Sequence, residues 1–154
     1  MLLNLKDLVV ENEKRLDIKG FFPPDAGEEE YITIKKLEPV DKLKLKFMQN
    51  SLWQNEYFKK AFDEKKQPDE VMKELSENQK DDELKSWAEL NERIIKTHID
   101  LSIVQDEKHT LFYEVDGEKK YHKVNYEFLQ KLNNQKLIDY IYAEAKIWNS
   151  SFFS

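Results

Sequence analysis

The stretch Leu111-Phe112-Tyr113-Glu114-Val115-Asp116-Gly117-Glu118-Lys119-Lys120-Tyr121-His122-Lys123-Val124 decides how the end of this chain folds. Two β-rich runs flank Asp116-Gly117, a dipeptide that tolerates the left-handed backbone of a two-residue hairpin turn. Asn125 follows, a residue type that caps helices, and then Tyr126-Glu127-Phe128-Leu129 and Leu137-Ile138-Asp139-Tyr140-Ile141-Tyr142 at helical spacing. The expectation is a hairpin over 111–115 and 118–124 that feeds an Asn-capped pair of helices. Leu137, Ile138, Ile141, Ala145 and Trp148 fall on one stripe of the last helix and are predicted to be buried.

Upstream, Tyr31-Ile32-Thr33-Ile34-Lys35-Lys36-Leu37 reads as a strand with Ile32 and Ile34 on one face. Glu38-Pro39 ends it and opens a helix, since proline is tolerated in the first helical turn. Strand 31–37 and the hairpin are expected to form one small antiparallel sheet. The fold class is therefore α+β and mainly helical, a helical domain with a small antiparallel β-sheet or hairpin.

A chain of 154 residues is long enough for one domain with a sizeable core. It divides into an N-terminal arm and loop (1–30), a strand with long helices (31–110), and the hairpin with C-terminal helices (111–154). Residues 1–20 are compatible with a strand, a helical turn or an arm. Phe21-Phe22-Pro23-Pro24-Asp25-Ala26-Gly27 is a loop. Residues 84–99 carry a clean helical stripe through Leu84, Trp87, Ala88, Asn91, Ile94, Ile95, His98 and Ile99. Leu101 to Thr110 is ambiguous, a loop with a short strand being one reading.

The helix over 40–63 is apolar on two sides. Val40, Leu43, Phe47, Tyr57, Phe58, Ala61 and Phe62 make one broad stripe, while Leu45, Met48 and Leu52 make a second, roughly opposite at ~100° per residue. Such a helix is either sandwiched in the core or used for contact with another chain; a break at Asn50-Ser51 into two helices with different faces is equally compatible. Leu45, Met48, Leu52 and Trp53 are the candidate partner-binding residues on this helix. Phe152 and Phe153, near the C-terminus, are a second candidate, against the plainer reading that they latch a frayed end.

Net charge is −6, from 25 Lys+Arg against 31 Asp+Glu. That balance does not provide the dense positive face that phosphate contacts need, so nucleic acid is not expected as a partner. There is no cysteine, which excludes disulfides, thiol catalysis and Cys-based zinc sites. Charges interrupt Met1–Val10 too early for a secretory leader, and no apolar run has the ~20 residues of a membrane span, so a cytoplasmic location without membrane contact is expected.

The residues of catalysis are scattered. Gly20, Gly27 and Gly117 are too far apart to cradle a phosphate. His98, His109 and His122 lack the spacing of a helical zinc or di-iron site; Asp106-x-x-His109 is the nearest approach. Asp81-Asp82 and Glu28-Glu29-Glu30 lie in polar stretches where carboxylates cap or are solvated. No enzyme, metal or cofactor is expected.

Two segments resemble the tail assembly chaperones of long-tailed bacteriophages. One is Glu30-Tyr31-Ile32-Thr33-Ile34-Lys35-Lys36-Leu37 with the Lys/Leu-rich helix behind it. The other is Asp116-Gly117-Glu118-Lys119-Lys120 followed by Val124-Asn125-Tyr126-Glu127-Phe128-Leu129 and Leu137-Ile138-Asp139-Tyr140-Ile141. Together they cover about a third of the chain; residues 63–110 bring nothing to the likeness, and Glu38-Pro39 stands where a hydroxyl cap would be expected. The resemblance implies a small acidic protein, without catalysis, in the cytoplasm of a bacterial host. It would bind the tape-measure protein, keep it soluble while tail-tube subunits polymerise, and self-associate into rings or spirals. It also implies a longer frameshifted form, with Phe152-Phe153 codons that fit a U-rich slip site. A small acidic helical adaptor or inhibitor of one host or phage protein is the alternative, and a small enzyme a further one.

Overall fold

The computed structural model describes residues 12–23, 29–52, 67, 69, 70, 73 and 81–150, with the backbone alone for 81–83. In chain order the elements are β1 (Glu13–Asp17), β2 (Tyr31–Lys35), α1 (Pro39–Leu52), α2 (Asp81–Ser102), β3 (Ile103–Val104), β4 (Phe112–Val115), β5 (Glu118–Tyr121), α3 (Tyr126–Lys131) and α4 (Gln135–Ser150). The fold is α+β, with small antiparallel sheets, as the sequence suggested. Two compact units result: Met1–Leu37 with Ile99–Ser154, and Glu38–His98.

The first unit is organised by β2. Its Tyr31-Ile32-Thr33-Ile34-Lys35 is the middle strand of a three-stranded sheet, paired antiparallel with β1 on one edge and with β3 on the other. Ile32, Thr33 and Ile34 are all buried, so both faces of the strand are covered. Thr33 is tolerated there because its hydroxyl donates to the Lys108 carbonyl at 2.6 Å. β1 is a charged strand, Glu13-Lys14-Arg15-Leu16-Asp17, that buries only Leu16; Ile18 continues the same face just beyond it. On the outer side the Arg15 guanidinium lies over the Tyr31 ring at 3.8 Å.

The hairpin forms as the sequence predicts. Asp116 (φ 52°) and Gly117 (φ 80°) both take the left-handed backbone of a primed turn. It does not join the sheet of β2. Among the described residues β4 and β5 pair only with each other, Phe112 opposite Tyr121 and Val115 opposite Glu118. The physical reason is that both edges of β2 are already occupied, by β1 and by β3, and a middle strand has no donor or acceptor row left to offer.

Asn125 caps α3 as expected, its Oδ1 accepting from the Phe128 N–H at 2.8 Å. Asn133 (φ 54°) lies in the left-handed region just past α3, and Asn134 Oδ1 accepts from Leu137 N–H at the start of α4. Along α4 the residues Leu137, Ile138, Ile141 and Ala145 are buried. Trp148, the fifth member of that stripe, is only half-buried. Its indole N–H donates to the Asn12 carbonyl at 3.2 Å, and the Lys14 and Lys36 ammonium groups lie over the ring at 5.8 and 4.9 Å. An indole keeps one polar edge, and here that edge holds the ring at the rim.

One turn position further along, Asn149 does what the stripe did not foretell. Its buried side chain accepts from the Leu37 N–H at 2.7 Å through Oδ1 and donates to the Ala145 carbonyl at 2.8 Å through Nδ2. The amide ties the exit of β2 to the last turn of α4. Replacing Asn149 with Ala strands a buried N–H, so Asn149→Ala should cost about 1–3 kcal/mol in urea melts. A change within error would show that the Leu37 amide finds another partner.

Candidate interaction surface

In the second unit, α1 starts where the sequence puts it. Glu38 precedes Pro39, and the Glu38 carbonyl accepts from the Asp41 and Lys42 amides at 3.0 Å each. The helix is described to Leu52. Its two apolar stripes differ sharply in exposure. Val40, Leu43 and Phe47 are 71%, 51% and 62% exposed. Leu45 and Leu52, seven residues apart and so on one side, are 5% and 7% exposed, and Met48 beside them is half-buried.

Of the candidate partner-binding residues, Leu45 and Leu52 are thus buried and Met48 is half-buried, and the exposed stripe is that of Val40, Leu43 and Phe47. The inward stripe is narrow and edged by Asp41 and Lys42, both half-buried. Such charged residues keep their ends in water while their stems lie along apolar neighbours. The sequence shows two apolar stripes and no preference between them. Trp53, Phe152 and Phe153 lie outside the described residues, as do Tyr57, Phe58, Ala61 and Phe62.

In the first unit the hairpin is the most exposed element. Phe112, Tyr113 and Val115 all stand among the exposed large hydrophobics. The base is anchored by aromatic contacts: Tyr121 meets Phe112 and His109 edge-on at 5.8 and 5.5 Å, and the His122 ring lies 4.9 Å from Tyr113 and 5.0 Å from Phe128. The His122 N–H donates to the Leu111 carbonyl at 2.9 Å, extending the ladder past Tyr121.

Around that base, side chains stand in for strand pairing. Gln105 donates to the Val124 carbonyl at 2.7 Å and accepts from the Val124 N–H at 2.9 Å, and Asp100 accepts from the Tyr126 N–H at 2.8 Å. Thr110 and Tyr31 exchange bonds: Thr110 N–H to the Tyr31 carbonyl at 3.0 Å, and Tyr31 N–H to the Thr110 hydroxyl at 2.8 Å. Asp106 takes φ 62° at the 3-10 turn Asp106–Lys108, which lets the chain reverse after β3.

His109 is almost wholly enclosed here. Its Nδ1 accepts from the Leu111 N–H at 3.1 Å, which fixes the neutral ring as the acceptor. Nε2 makes no hydrogen bond of good geometry. Burial pushes the ring's pKa below its ordinary value; the His122 main chain and the Asp106 carboxylate pull the other way without winning. Of Asp106-x-x-His109, the histidine is thus buried and bonded to the main chain, while Asp106 is exposed. Among the described residues no three His, Asp or Glu side chains converge closely enough to hold a metal ion. The clefts near Arg15–Tyr31, Glu89–Lys96 and Val104–Lys108 are lined mainly by charged side chains. No described helix is long and apolar enough to cross a membrane.

No protein-family profile, curated protein or solved structure matches this chain.

Two measurements probe these assignments. Leu45→Asp buries an unpaired charge and should cost about 3–5 kcal/mol, whereas Leu43→Asp should stay within about 0.5 kcal/mol. Equal costs in denaturant melts would contradict the assignment of Leu45 to the inward face and Leu43 to the outward one. The second concerns pH. A folded pKa below the unfolded value means that the unfolded chain takes up the proton first. The stability from neutral His109 is therefore complete above about pH 6.5, the unfolded value, and is lost as pH falls below it toward the depressed folded pKa. His109→Asn keeps an acceptor for Leu111 and should flatten that slope. An unchanged slope would place the titration elsewhere.

Proposed function

We propose that this protein is a non-catalytic tail assembly chaperone of a long-tailed phage or prophage, which holds the tape-measure protein soluble and promotes tail-tube assembly. The observation that supports the reading is the outward stripe Val40, Leu43 and Phe47. It puts three large apolar side chains on one face of a helix whose other face is committed to packing. Apolar side chains exposed together at helical spacing suit capture of another helix, and tape-measure proteins are long helices that need cover. The excess of acidic residues would keep a loaded complex dispersed. The proposal places the protein in the bacterial cytoplasm, working as a ring or spiral of several copies, with the tape-measure and tail-tube proteins as partners and no cofactor.

The alternative, a small adaptor or inhibitor that binds one folded host or phage protein, draws on the hairpin. β4 and β5 form an exposed two-stranded ribbon, and such ribbons add to the sheet of a folded partner. Stoichiometry separates the two readings, since a chaperone coats a long client with many copies and an adaptor binds one to one.

The test is co-expression with the tape-measure protein encoded in the same phage or prophage genome. The wild-type chain should bring the client into the soluble fraction and co-purify with it in several copies. Leu43→Asp with Phe47→Asp should lose the client while helical circular dichroism is unchanged. Failure of the wild-type chain to retain any tail protein would contradict the proposal.

A further inference from the structure

Resting on the reading of α1 as the client-binding element, we infer that its outward stripe selects an amphipathic helix whose own apolar stripe is edged by Asp and Glu. The inference comes from what surrounds Val40, Leu43 and Phe47. On a helical projection at ~100° per residue, Lys44 lies just to one side of this stripe and Lys46 to the other. Both lysines are exposed, and among the described residues neither takes part in an ion pair. α1 carries three lysines (Lys42, Lys44, Lys46) and Asp41 as its single acid, in a chain whose net charge is −6. The stripe is thus a local reversal of the protein's overall sign, with its positive charges placed at the borders of the apolar contact.

Val40 to Phe47 spans about 10 Å along the axis, two helical turns. That length matches apolar residues at i, i+3 and i+7 of a partner helix. Carboxylates flanking those positions would meet Lys44 and Lys46 at the rim, where ion pairs govern choice of partner and orientation more than affinity. A helix edged by lysine would set like charges against like. An anionic membrane surface would also attract lysines beside an apolar stripe. Three side chains over two turns, however, bury little apolar area, and an acidic chain is repelled by anionic headgroups.

The experiment uses the full chain and two synthetic helical peptides with leucine at i, i+3 and i+7, one flanked by Glu and one by Lys, each carrying a fluorophore for anisotropy. The Glu-flanked peptide should bind about tenfold tighter at low ionic strength, the size expected of a few solvent-exposed ion pairs. That preference should collapse near ~1 M salt, where the screening length is about 3 Å. The double variant Lys44→Glu/Lys46→Glu should invert the preference with helical circular dichroism unchanged, and Phe47→Ser should weaken both peptides. Equal binding of the two peptides, binding of neither, or a preference untouched by the charge reversal would overturn the inference. So would partition onto phosphatidylglycerol-rich vesicles without binding of either peptide. Selective peptide binding by a chain that retains no tape-measure protein would leave this inference standing and remove the chaperone reading. Undiminished retention of the tape-measure protein by the charge-reversed variant would do the opposite.

Discussion

Everything in the first unit depends on satisfying the backbone of one strand. β2 is buried on both faces, so its amide and carbonyl groups cannot fall back on water, and each one left unmade would cost as much as several good contacts return. Three separate stretches of chain meet that demand. β1 covers one edge, β3 the other, and Thr110 and Asn149 finish the ends at Tyr31 and Leu37. The charged strand β1, the brief strand β3 and an asparagine in the last turn of α4 have little in common as sequence. They share this one task.

The hairpin follows from the same constraint by exclusion. With β2 closed on both edges, β4 and β5 have only each other among the described residues, and a lone two-stranded ribbon is marginal in water. Its base is therefore held by rings, Tyr121 against His109 and His122 against Phe128, and by the Gln105 clamp on Val124. In the second unit, α1 spends Leu45 and Leu52 on packing and leaves Val40, Leu43 and Phe47 outside. The proposed chaperone role rests on that exposed stripe.

What could be read from the sequence was what local chemistry dictates. Asp116-Gly117 fixes a hairpin because two consecutive left-handed residues are otherwise costly. Pro39 marks the start of α1, Asn125 caps α3, and Leu137, Ile138, Ile141 and Ala145 repeat at helical spacing on α4. What escaped was non-local. Glu13–Asp17 offers one inward apolar residue, so nothing in it announces a strand. Asn149 and Leu37 are 112 positions apart, and no spacing rule joins them. Trp148 fits its stripe but sits where the helix reaches the rim. On α1 the two apolar stripes are equal as patterns, and only packing decides which one turns inward; here it chose Leu45 and Leu52. Of the candidate partner-binding residues, Leu45 and Leu52 are buried and Met48 is half-buried, while Trp53, Phe152 and Phe153 lie outside the described residues.

Native-state hydrogen exchange measures the central claim most directly. If β2 is the strand on which the first unit depends, the amides of Ile32, Thr33 and Ile34, with Leu37 on its asparagine acceptor, should open only with global unfolding and be among the slowest in the chain. The amides of the Phe112–Tyr121 hairpin should exchange orders of magnitude sooner through local opening. Exchange of the β2 amides at hairpin rates, or loss of their protection without loss of the fold, would contradict the account.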